Sequence, residues 1–193
     1  DHQKYGLVAG RVQSGKTANY GGLIARAVDS GFDIIIVLAG LHNNLRKQTQ
    51  KRLEEEIARF DPENPVNRRL IPLTDESGDF RGLPSHQLFN PGADRSVLLV
   101  VKKNVSPLTR LVQQLGQLSE LERLKLNLLV IDDEADHATI NTKKLEEVSG
   151  IDAELDAYEE VEEDERDTEI TDVTRINSSI RQILGLFKRY SYV

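Results

Sequence analysis

The chain has 193 residues, 38% hydrophobic and 30% charged, enough for one α/β domain with a sizeable core. It contains no Cys, which excludes disulfides, a thiol nucleophile and any Cys-ligated zinc or iron–sulfur site. The net charge of −7 conceals a division: residues 1–144 carry 20 basic and 18 acidic side chains, a balance of +2, whereas residues 145–193 carry 5 and 14, a balance of −9.

The first strand signal is Tyr5-Gly6-Leu7-Val8-Ala9, which runs into Gly10-Arg11-Val12-Gln13-Ser14-Gly15-Lys16-Thr17. A helix follows, with Leu23, Ile24, Ala27 and Val28 on one face, ending near Ser30-Gly31. The β-branched run Ile34–Leu38 suits a parallel strand buried on both faces. Leu45, Thr49, Leu53 and Ile57 recur every four residues and predict a second helix, with Arg46, Lys47, Lys51 and Arg52 on its other face.

Asp61–Pro65 breaks the pattern, Arg69–Leu73 suits a short strand, and Thr74–Pro91 reads as a loop rich in Gly, Pro, Asp and Ser. Val97–Val101 is the next buried strand. Leu108, Leu111, Val112, Leu115 and Leu118 mark a helix, with Ser106-Pro107 as its cap and first residue. Leu126–Ile131 is a further strand, closed by Asp132-Asp133-Glu134-Ala135-Asp136-His137. Helical spacing returns at Ile176, Ile180, Ile183 and Phe187, and Tyr190–Val193 reads as the start of one more strand.

Strands alternating with helices predict a parallel sheet flanked by helices. The expected organisation is a core over residues 1–144, an acidic insert or linker over 145–172, and a final helix and strand of the same core over 173–193. The apolar runs are strand-sized and far short of a membrane span, and no charged-then-apolar leader opens the chain. The expectation is a cytoplasmic protein without membrane contact. Met is absent even at position 1, which predicts a piece of a longer protein.

Gly10 to Thr17 matches G-x-x-x-x-G-K-[ST]. Phosphate oxygens need many donors in a small space, and backbone amides supply them where a loop wraps tightly. Gly10 and Gly15 allow that wrapping, with Arg11, Val12, Gln13 and Ser14 contributing main-chain N–H groups. The helix that starts at the loop turns its free N–H groups and positive dipole end toward the anion. Lys16 reaches the terminal phosphates, and the Thr17 hydroxyl ligates Mg²⁺. The fold this predicts is a P-loop NTPase domain holding ATP and magnesium.

Carboxylates at the carboxyl end of a parallel strand sit where ligands bind. Asp133 is the expected metal ligand, with Asp132 as its competitor, and Glu134 is the expected general base for the attacking water. An Asp-Glu pair favours the NTPases that carry a catalytic Glu on its own strand. Asp136 and His137 are assigned a coupling role.

Asp133–His137 resembles the DEAD/DEAH motif of superfamily 2 helicases, and Gly10–Thr17 resembles their first motif. More specifically, Gly10–Asn19, Val37–Gln50 and Val130–Asp136 resemble the Z-one domain family, which is associated with endonuclease activity and with bacterial restriction-like or defence systems. The resemblance implies the first RecA-like domain of a two-domain, helicase-like ATPase. It also implies a continuation: a small-hydroxyl motif on the strand begun at Tyr190–Val193, and a second RecA-like domain with an arginine finger. Nucleotide binding with little turnover is therefore expected of this chain alone. Partner subunits of such a system are expected too.

Motors of this kind hold DNA mainly by its phosphates. His42, Asn43, Asn44, Arg46 and Lys47 follow one buried strand, and Lys102, Lys103 and Asn104 follow another; both sets are candidate backbone contacts. Aromatic residues are only 5%, which disfavours a base-stacking platform. Two alternatives stand beside the motor: an endonuclease subunit, for which Asp75, Glu76 and Asp79 look like turn chemistry rather than a site, and a nucleotide-gated scaffold that hardly hydrolyses.

Overall fold

The computed structural model describes residues 2–7, 16–57, 69–77, 80, 82, 95–133 and 162–193. Six parallel strands form one sheet: β1 (His2–Tyr5), β2 (Ile34–Ala39), β3 (Arg69–Pro72), β4 (Arg95–Lys102), β5 (Asn127–Asp132) and β6 (Arg189–Tyr192). Their spatial order is β1-β6-β5-β2-β4-β3. Five helices accompany them among the described residues: α1 (Lys16–Asp29), α2 (Asn43–Ile57), α3 (Val105–Gly116), α4 (Glu120–Lys125) and α5 (Glu162–Gly185). The chain is thus an α/β protein with an all-parallel sheet, as the alternating pattern predicts.

The central strands are apolar on both sides because both sides are covered. All six residues of β2 are buried, and β4 is buried from Ser96 to Val101. One face, built from Ile36, Leu38, Leu99, Val101, Leu128 and Val130, packs under α3 and α5. The other, built from Ile35, Val37, Leu98, Val100, Leu129 and Ile131, packs under α1 and α2. α1 turns into β2 through a glycine that the geometry requires: Gly31 has φ 82°, its N–H donates to Val28 O, and the Phe32 N–H reaches back to Ala27 O. This left-handed closure satisfies the helix's last carbonyls and seats Phe32 against the α1 core. At the amino ends of the strands, the Asp33 carboxylate accepts from the Asn127 N–H at 2.8 Å, tying β2 to β5.

Five details depart from the sequence expectations. The first described strand is His2–Tyr5, so Gly6 and Leu7 of the expected Tyr5–Ala9 stand beyond it, and Val8 and Ala9 lie outside the described residues; β1 is an edge strand whose four side chains are all exposed, so no burial pattern marks it. Thr74 lies in the expected loop yet is buried: it accepts from the Val100 N–H and exchanges hydrogen bonds with Gln50 of α2, at 2.7 to 2.9 Å. Asn104, not Ser106, caps α3, with its side chain accepting from the Ser106 N–H, and Pro107 follows inside the first turn. A short helix, α4, stands where no element was expected, started by a capping box of Ser119 and Glu122 whose hydrogen bonds hold the Glu122 carboxyl below its ordinary range. Finally, α5 begins at Glu162, inside the stretch read as an acidic insert. The rest of that insert, 145–161, lies outside the described residues.

Candidate functional site at the carboxyl rim of the sheet

Adjacent parallel strands open a crevice at their carboxyl ends where the helices that follow them lie on opposite faces. β2 leads into α2 on one face, while the helix described between β5 and β6, α5, lies on the other. The crevice between β2 and β5 is where the consecutive acids fall. Asp132 pairs with Leu38 in register, and the Asp133 N–H donates to Leu38 O at 3.0 Å.

Strand alternation sends these two acids to different surroundings. Asp133 is half-buried, and its Oδ1 accepts a 2.5 Å hydrogen bond from the hydroxyl of Tyr20. Tyr20 sits on α1, one turn beyond Lys16 and Thr17, which are the first residues of that helix. The hydrogen bond therefore ties the end of β5 to the first turns of the helix that follows the glycine loop. Asp132 is sealed: Lys103 Nζ lies 2.5 Å from its Oδ1, and neither side chain is more than 1% exposed. Tyr192 of β6 donates its hydroxyl to Asp132 Oδ2. Burial first, then that hydrogen bond and the Asp132 charge, raise the Tyr192 phenol well above its ordinary range.

This arrangement separates the two candidates for a metal. Asp132 is engaged on both oxygens and closed to solvent, whereas among the described residues Asp133 is hydrogen-bonded at Oδ1 alone. A carboxylate oxygen and a threonine hydroxyl are hard donors, which suits Mg²⁺, an ion that keeps several waters and takes few protein ligands. Asp133 supplies one such oxygen; the side chain of Thr17 lies outside the described part of the structure. Among the described residues, no group of three or more His, Asp or Glu side chains converges as a metal cluster.

The remaining predicted residues divide. Gly10, Arg11, Val12, Gln13, Ser14 and Gly15 lie outside the described residues, as do Glu134, Asp136 and His137. His42, Asn43, Asn44 and Lys47 are exposed around the start of α2, and Lys102 and Asn104 lie at the end of β4, Asn104 spending its side chain on the α3 cap. Arg46 and Lys103 differ from expectation: each is 1% exposed. Lys103 turns inward because it continues the alternation of Leu99 and Val101, so it meets Asp132 rather than a surface strand. Arg46 turns inward one turn before Gln50, and its Nη2 points to Glu76 O at 3.5 Å.

Sequence reasoning missed Tyr20 and Tyr192. The signal for Tyr20 was its spacing from Thr17 on one helix face; nothing local pairs Tyr192 with Asp132. A cavity of about 470 Å³ lies elsewhere, lined by Lys4, Leu23, Arg26, Phe32, Leu129 and Arg189, and it includes none of Tyr20, Asp132 or Asp133. Among the described residues, no helix is long and apolar enough to cross a membrane. What fold and rim together define is an α/β protein whose all-parallel sheet carries two carboxylates at the carboxyl end of β5. Comparison of the chain with models of known protein families, with curated proteins and with solved structures returns no match.

Proposed function

We propose that this chain is a RecA-like P-loop NTPase domain that binds ATP with Mg²⁺. We assign it to the first half of a helicase-like, DNA-dependent ATPase of a bacterial restriction or defence system. The observation that carries the reading is the Tyr20–Asp133 hydrogen bond. It joins the helix that opens on the Gly10–Thr17 motif to the strand end that bears Asp133 and Glu134, and the reading needs those two segments together.

In this reading the loop amides and Lys16 bind the phosphates, with Lys16 as the compact charge at their far end. Asp133 and Thr17 hold the magnesium ion, which neutralises charge on the terminal phosphates. Glu134 orients and deprotonates water. Turnover belongs to the pairing with a second RecA-like domain that supplies an arginine. DNA is held by its backbone at the exposed start of α2, where His42, Asn43, Asn44 and Lys47 stand.

Titration of ATP with Mg²⁺ into the chain and its Lys16→Ala variant tests the core of this. A lost charge-assisted contact of about 1.5–3 kcal/mol corresponds to roughly 10- to 100-fold weaker binding. Equal affinities for the two proteins would remove the phosphate-loop reading. In the longer protein, hydrolysis stimulated by single-stranded or duplex DNA is expected to vanish with Lys16→Ala. DNA cleavage that survives this substitution would favour the endonuclease instead.

A further inference from the structure

We propose that Lys103 selects which of the consecutive acids at the end of β5 turns toward α1, and in doing so positions Asp133. The geometry stands by itself; its consequence for ligand binding rests on the nucleotide reading above.

Asp132, Asp133 and Glu134 are consecutive carboxylates, and a strand sends neighbours to opposite faces. A one-residue slip at the strand end would exchange their places. Along β5, Leu128 and Val130 enter the core under α3 and α5, while Leu129 and Ile131 enter the core under α1 and α2. The next position, Asp132, therefore faces α3 and α5, directly beyond a row of buried aliphatic side chains. An ionised carboxylate there is costly unless it is paired.

That face is built to receive one carboxylate. Lys103 arrives from β4 in the row of Leu99 and Val101, and Tyr192 arrives from β6 beside the same core. Both converge on Asp132. The register that fills this place is also the register that sets Asp133 on the other face, against Tyr20. Stability does not by itself account for the pair, since well-packed apolar residues often replace a buried ion pair without loss. What Lys103 adds is a choice of position. Without it, the Asp132 charge is uncompensated, and the strand end relaxes to return that carboxylate to water, carrying Asp133 away from Tyr20.

The test uses the full chain with ¹³C-labelled tyrosine rings. The Tyr20 resonance, one of five from tyrosine, is assigned by Tyr20→Phe, and Asp133→Ala supplies its position when the hydrogen bond is lost. Lys103→Met is expected to move the Tyr20 resonance to the Asp133→Ala position and to weaken Mg²⁺-ATP binding by about tenfold or more. Lys103→Met/Asp132→Leu is expected to restore the resonance and most of the binding, because leucine satisfies the apolar face without a cation.

A folded Lys103→Met whose Tyr20 resonance stays in place overturns the proposal. So does a folded double variant whose resonance remains displaced, and that second protein decides the matter if the single variant does not fold. A wild-type chain that binds no Mg²⁺-ATP defeats the nucleotide reading alone, since the Tyr20 resonance still judges Lys103.

Discussion

The two faces of the sheet end differently at the same rim. On the α1 side, Asp133 is half-buried and, among the described residues, held by one phenol. On the α3–α5 side, one residue earlier in the chain, Asp132 is closed in by a lysine and a tyrosine. The two side chains are identical and their backbones are neighbours; the alternation of the strand and the cation waiting on one face make the difference. Acid at a strand end is therefore not one kind of feature. One carboxylate closes off the core and the next stays half-buried at the rim.

Urea unfolding breaks the comparison most directly. Asp132→Leu leaves the Lys103 ammonium buried without its carboxylate and is expected to cost about 3–5 kcal/mol, whereas Asp133→Asn is expected to stay within about 1 kcal/mol. Similar losses for the two would mean that the rim does not distinguish them. The turn that seats α1 behind Asp133 supplies the next effect. Gly31→Ala forces a Cβ into left-handed backbone at φ 82° and is expected to destabilise by about 1–2 kcal/mol, read as a shift in thermal midpoint. On the other face, Asn104→Ala removes the α3 cap and is expected to cost about 1 kcal/mol in the same measurement.

The smallest effect appears only in alkali. The Tyr190 phenol is pushed up to about 12, first by its hydrogen bond with Tyr5 and then by burial, and Tyr192 is raised as well. The unfolded chain loses these protons first, near pH 10. The stabilisation from both groups is thus complete below about pH 10 and declines as pH rises from there toward 12. Unfolding midpoints measured across that interval are expected to fall, and to fall less steeply for Tyr5→Phe. A flat profile would mean that neither phenol is held in its neutral form by the fold.

Much of the fold was legible in the residues. Ile34–Leu38, Val97–Val101 and Leu126–Ile131 read as buried parallel strands because burial on both faces demands an uninterrupted apolar run, and β2, β4 and β5 occupy those places. The edge strand β1 was misplaced for the converse reason: its side chains face solvent and leave no periodic mark. The helix after the Gly10–Thr17 motif was legible too, and α1 stands there. The roles of Lys103 and Arg46 were not, since a cation after a strand reads as surface until the face opposite it is known.

From its own pattern the sequence determined the class of the fold, the order of its central elements and the presence of acids at the end of β5. These are local properties, written in hydrophobic period and in turn chemistry. Only the tertiary structure decided that Asp132 would be sealed by Lys103 and Tyr192 while Asp133 met Tyr20. Those partners lie far away along the chain, and packing the sheet against two layers of helices is what brings them to the same rim.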